Sequence, residues 1–198
     1  MITEVAAMGV FALVGSVSPG PVNIIAATVG MKLGYRRAVS FVLGTSIAYA
    51  TVVLLCGLGL DVVAQYLPQV TSYLKAVGGV FLLYMAFKIA MSAKVSNTQQ
   101  AMDLRPSFSH GALAQWLNPK AWLVAMSGVS VFVINHQPVN AYILVFTLIS
   151  LMLCFVGVSV WALLGDVIRR KMSNDKYHQR IHWLMACLLA GTVVMIWL

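Results

Sequence analysis

Apolar residues in this chain neither alternate nor recur on a single stripe. They run on for about twenty positions at a time, separated by short polar interruptions. Six such runs stand out: Val5–Val29, Ala38–Leu60, Tyr73–Met91, Ser109–Val133, Val139–Leu164 and Ile181–Leu198. A helix of about twenty apolar residues crosses the hydrocarbon core of a bilayer. The pattern therefore predicts an all-α integral membrane fold with six transmembrane helices. A membrane β-barrel would need short segments of alternating apolar and polar residues, whereas these runs are continuous and rich in Leu, Ala and Met. The first run lacks a positively charged leader, follows Glu4 and continues beyond twenty residues, so it reads as a permanent helix rather than a cleavable signal.

The polar interruptions organise the runs. Pro68 and Pro138 mark the links Asp61–Ser72 and Ile134–Pro138 as turns. The stretch Ser92–Phe108, with Asn97, Thr98, Gln99, Gln100 and Asp103, is the most polar and reads as a flexible connector between two halves. The chain is thus one membrane domain, 1–198, with a first repeat at 1–91, the connector at 92–108 and a second repeat at 109–198. Each half opens with a proline-broken helix, at Ser18-Pro19-Gly20-Pro21 and at Asn118-Pro119-Lys120. Three spans per half insert the halves in opposite senses, which is the pattern of an inverted-topology repeat.

Composition strengthens the membrane reading. The 198 residues are 61% hydrophobic and 9% charged, against about 25% charged in a soluble domain. The net charge of +8 does not point to nucleic acid, because its placement follows the loops. Lys32, Arg36 and Arg37, then Lys88, Lys94 and Arg105, then Arg169, Arg170, Lys171, Lys176 and Arg180 all fall on one side of the predicted topology. Lys75, near the start of the third run, is the exception, and Lys120 lies within a helix. Basic loops stay cytoplasmic, so both termini are expected to face out, with the odd-numbered, basic loops in the cytosol beside anionic lipid. Trp183 and Trp197, about 21 Å apart along the last run, suit one ring at each interface. Small-residue stripes, Ser40/Gly44/Ala48 and Ala186/Ala190, allow close helix packing within the chain, with a homo-oligomeric face as the alternative.

Chemistry concentrates at the two breaks. Proline removes a donor and clashes one turn back, and the groups freed inside a membrane must be satisfied by protein, water or ligand. Pro19, Gly20 and Pro21 with Asn23, and Asn118, Pro119 and Lys120, are therefore the candidate substrate-binding residues. Lys120 lies near mid-membrane, where a lysine costs about 2.5–3.5 kcal/mol. It has three readings: snorkelling of the long side chain to an interface, a structural bond to carbonyls freed at a break, or contact with an anionic group of the substrate. Trp116 and Trp122 could wall the same cavity or face lipid. No carboxylate falls mid-membrane: Glu4, Asp61, Asp103, Asp166 and Asp175 sit at ends or in loops. Acid/base hydrolysis, HExxH and Ser-His-Asp chemistry have no carriers here, and no GxxxxGK[ST] loop binds ATP. The four histidines read as interface residues and the three cysteines as small buried residues. No enzyme, metal or cofactor is expected. The lack of a buried acid, with Lys120 present, favours a zwitterion with an uncharged side chain over a cation.

The pair of breaks, about a hundred residues apart, resembles the LysE/RhtB family of bacterial amino-acid exporters. Pro19-Gly20-Pro21 with Asn23, Gly34 and Arg36, Gly44, the stretch from Lys75 through Gly78, Leu82, Leu83 and Tyr84, and Asn118-Pro119-Lys120 carry the resemblance end to end. Phe81, Ala86 and Ala48 depart from residues frequent in that family. The resemblance implies gradient-driven efflux of amino acids or close derivatives from the bacterial inner (plasma) membrane, which puts both outward-facing termini in the periplasm. Export of basic amino acids and a non-transporting channel or helper are the alternatives.

Overall fold

The computed structural model describes residues 2–59, 73, 76–87, 89–91, 107–134, 136–171 and 175–197. Among the described residues every regular element is an α-helix and none is a strand. In chain order they are α1 (Ile2–Val17), α2 (Pro21–Leu33), α3 (Tyr35–Leu58), α4 (Ala76–Met91), α5 (Phe108–Trp116), α6 (Pro119–Phe132), α7 (Val139–Lys171) and α8 (Asp175–Trp197). α3 and α7 are each long and apolar enough to cross a membrane, and α1 with α2 forms a third candidate span bent by 62°. The connector 92–106, Asp61, Lys75, Lys88 and the side chain of Trp197 lie outside the described residues.

The first predicted run is thus two helices. Pro21 occupies the first position of α2, where a missing N–H costs nothing, while Pro19 and Gly20 keep α1 from continuing. α2 ends at Gly34, whose φ of 79° is the left-handed turn that glycine tolerates. α3 starts at the next residue. The fourth predicted run is also split: α5 stops at Trp116, and α6 begins with Pro119 in its first position and Asn118 as its N-cap.

One expected boundary moves. The run Val139–Leu164 was expected to end before a basic loop, yet α7 continues to Lys171, so Arg169, Arg170 and Lys171 are helical. The cause is Asp166, which is buried rather than in a loop. Arg169 donates to its Oδ1 at 2.7 Å and Arg170 to its Oδ2 at 2.7 Å. These i,i+3 and i,i+4 pairs staple the extra turn. They pack under the α2–α3 turn, where a side chain on Gly34 would meet Arg169. Six bases, Lys32, Arg36, Arg37, Arg169, Arg170 and Lys171, therefore share one end of the bundle. Glu4 marks the opposite end of α7, accepting from Tyr142 Oη at 3.0 Å and lying 3.4 Å from His136 Nε2.

Glycines set the helix crossings. A Cβ on Gly30 would overlap the Ala162 carbonyl, and one on Gly165 would overlap the Ala27 carbonyl, so α2 and α7 touch backbone to backbone. Gly44 and Gly111 do the same for α3 and α5 against the carbonyls of Phe108 and Phe41. Such approach supplies van der Waals contact where lipid offers no hydrophobic drive between helices. Of the two small-residue stripes, Gly44, Ala48 and Ala186 are buried, whereas Ser40 is exposed. Phe11, Phe132 and Phe146 close the core between α1, α6 and α7, with ring centroids 5.5–6.4 Å apart.

Candidate functional site

The last turn of α1 and the two residues after it leave the carbonyls of Ser16, Val17, Ser18 and Pro19 without the backbone partners of a continuous helix. Side chains satisfy them. Asn23 Nδ2 donates to Ser16 O at 2.8 Å and to Ser18 O at 2.9 Å. Trp161 of α7 donates to Val17 O at 2.9 Å. Lys120, from the first turn of α6, donates to Ser18 O at 2.9 Å, Ser18 Oγ at 2.7 Å and Pro19 O at 3.3 Å. The lysine therefore ties the second break to the first. Gly20 makes room for it: a Cβ there would stand 3.2 Å from Lys120 Cδ. The backbone of Gly20 is ordinary extended chain, so close approach is the reason for glycine here.

The second break caps itself. Asn118 Oδ1 accepts the Lys120 amide at 3.2 Å, its carbonyl accepts the Ala121 amide at 3.0 Å, and its Nδ2 donates to Gln115 Oε1 at 3.3 Å. The first break has no such cap on its α2 side. Gly20 brings no side chain, and the amides of Val22 and Asn23 have no partner among the described residues.

Between the breaks lies a cavity of about 40 Å³, room for about three waters. Gly15, Ser16, Gly20, Val22 and Asn23 line it from the first break, and Gln115, Asn118, Lys120, Ala121 and Val124 from the second. Tyr49 of α3 and Cys154 and Val158 of α7 complete the wall. Of the residues expected from sequence, Gly20, Asn23, Asn118 and Lys120 face this one space. Pro19 contributes its carbonyl to Lys120, while Pro21 and Pro119 are buried helix starts that shape the breaks. Trp116 and Trp122 do not line it. Trp116 is exposed, donates to Thr51 Oγ1 at 3.2 Å and meets the Trp122 ring edge-on. Asp166 does not line it either.

Nine wall residues were not expected, and four of them carry a hydroxyl, amide or thiol. Ser16, Tyr49, Gln115 and Cys154 sit within apolar runs, and only Gln115, three residues before Asn118, carried a polar signal. No group of three or more His, Cys, Asp or Glu that could hold a metal occurs among the described residues. Among the described residues, Lys120 is the one charged side chain on the cavity wall.

A bundle of apolar helices with two interrupted helices converging on a small cavity that a few polar groups enter is the architecture of a membrane transporter. The LysE type translocator model matches residues 13–196, and the chain belongs to that family. It is 29% identical to a cysteine/O-acetylserine efflux protein of Salmonella typhimurium (strain LT2) over 187 residues, 94% of this chain and 93% of the relative. It is 26% identical to a protein of the same name from Escherichia coli (strain K12) over 195 residues, 98% of this chain and 97% of that relative. No solved structure matches the chain. The chain is a multi-pass translocator of the bacterial inner membrane.

Proposed function

We propose that this protein is a six-span secondary transporter that exports amino acids or close derivatives with uncharged side chains, driven by the electrochemical gradient. The observation that carries the reading is the junction of the two breaks on one cavity, with Lys120 from one bonded to the carbonyls of the other. A zwitterion fits its chemistry. Its carboxylate meets the uncapped amides of α2 and the field of Lys120, and its ammonium meets Asn23 Oδ1 and the carbonyls at the end of α1. A cationic side chain finds no carboxylate on this wall. The relatives named for cysteine and O-acetylserine efflux support the same choice, since both solutes are small and carry no side-chain charge. An amino acid is larger than three waters, so the loaded site is wider, and the Gly20 break is the place to widen.

The inverted repeat is supported by matched packing. α1 rests on α7 as α5 rests on α3, α2 on α7 as α6 on α3, and α1 on α6 as α2 on α5. Periplasmic termini are supported by the six bases gathered at the end of the bundle opposite Glu4. A thiol at Glu4→Cys that reacts with an impermeant reagent only from the cytoplasmic side would reverse that orientation.

Efflux from proteoliposomes with a panel of labelled amino acids tests the function. Cysteine, O-acetylserine, threonine or leucine should leave faster than lysine or arginine, and collapse of the gradient should stop uphill movement. Faster lysine efflux, or conductance without dependence on the gradient, would overturn the proposal.

A further inference from the structure

The cavity has one wall made by the breaks and one made by the long helices. The break wall spends most of its polar atoms on the protein itself. Asn23 Nδ2, Asn118 and the Lys120 ammonium are all bonded to neighbouring groups. The long-helix wall is different. Tyr49 is only 5% exposed, yet its hydroxyl makes no hydrogen bond among the described residues, and the residue lines the cavity. Its oxygen is not one of the fully enclosed orphan hydroxyls, which among the described residues are those of Thr147 and Ser150 away from this wall, so it keeps access to the cavity, where a ligand atom or water is its natural complement. Around it stand Cys154 and Val158, both short and uncharged. Two other tyrosine hydroxyls of the bundle have protein partners: Tyr35 Oη donates to Ser159 Oγ at 3.2 Å, and Tyr142 Oη to Glu4.

We infer that Tyr49 is the specificity-determining residue of this site, its hydroxyl reading a hydrogen-bonding atom on the substrate's side chain while the breaks hold the amino-acid backbone. This rests on the transport reading above and narrows it. The favoured substrate carries a short, uncharged side chain with a hydroxyl, thiol or ester oxygen close to the α-carbon. Alanine and valine enter the same cavity but leave Tyr49 unpaired. A site built to pair a polar atom disfavours analogues that lack it, because its own group stays orphaned.

The test is competitive efflux from proteoliposomes with serine and O-acetylserine against alanine and valine, in the wild type, Tyr49→Phe and Tyr35→Phe. The wild type should prefer serine and O-acetylserine. Tyr49→Phe should cut that preference about tenfold, the worth of one neutral hydrogen bond, while alanine flux persists. Tyr35→Phe, which removes a hydroxyl outside the cavity, should leave the ratio unchanged. If Tyr49→Phe transports nothing, substrate-dependent protection against thermal unfolding in detergent supplies the same ratio of affinities. An unchanged ratio, or an equal loss for all four solutes, would overturn the role of Tyr49 while leaving the exporter intact. No flux of any of the four from the wild type would overturn the transport reading and this inference with it.

Discussion

The two breaks look alike in sequence and are held in different ways. The second is self-sufficient: one proline starts α6, Asn118 caps it, and the exposed amides find partners within three residues. The first is dependent. Its two prolines bend the span by 62°, and its carbonyls are satisfied by Asn23, by Trp161 from α7 and by Lys120 from α6. Its α2 amides stay open toward the cavity. One half of the molecule therefore supplies a rigid platform, and the other an unfinished helix end that the platform holds. A helix end finished by its own cap has little to offer a ligand. An end finished by a single lysine can exchange that partner for a substrate.

The comparison can be broken most severely at Lys120. Lys120→Met keeps the chain length and removes three hydrogen bonds to the first break. Bonds to charged groups contribute about 1.5–3 kcal/mol each, so export should fall by at least about a hundredfold. Lys120→Arg should not restore it fully, because a forked, bulkier head fits three convergent acceptors poorly. Near wild-type flux from Lys120→Met would show that the first break stands on its own.

Asn23→Leu attacks the first break from within its own half. Two carbonyls lose their donor, and Lys120 can compensate only at Ser18. Thermal unfolding in detergent should show a loss of about 2 kcal/mol. A smaller effect should follow Asn118→Ala, which costs the second break one N-cap, about 1 kcal/mol. If Asn118→Ala proved more damaging than Asn23→Leu, the platform and the dependent end would have been assigned the wrong way round.

The sequence carried the breaks, the family and the convergence on Lys120 because proline, glycine and a lone lysine are costly in a bilayer and visible at once. The rest of the site was hidden by the solvent. In water, a helix shows its inner face by contrast with a polar outer one. In lipid both faces are apolar, so Tyr49 and Cys154 on the cavity and Leu43 and Met152 on the outside look equivalent until the packing is known. Asp166 was misplaced for a related reason. An acid followed within four residues by two arginines reads as a loop, whereas the bonds of Asp166 to Arg169 and Arg170, packed under the Gly34 turn, keep all three helical. The structural role of Lys120 stood as one of three readings, and its three bonds to the first break supply it in place of snorkelling. A role in holding substrate is compatible with the same geometry.

The central claim is that both breaks face one substrate. Its most direct measurement uses two single-thiol proteins, Ser16→Cys in the first half and Ala121→Cys in the second, each in a chain with Cys56, Cys154 and Cys187 replaced. Each is alkylated by a small thiol reagent in the presence of increasing O-acetylserine, which has no thiol of its own to compete. The account predicts that both thiols are protected with the same half-saturating concentration and that lysine protects neither. Protection at one position alone, or at neither while transport persists, would contradict it.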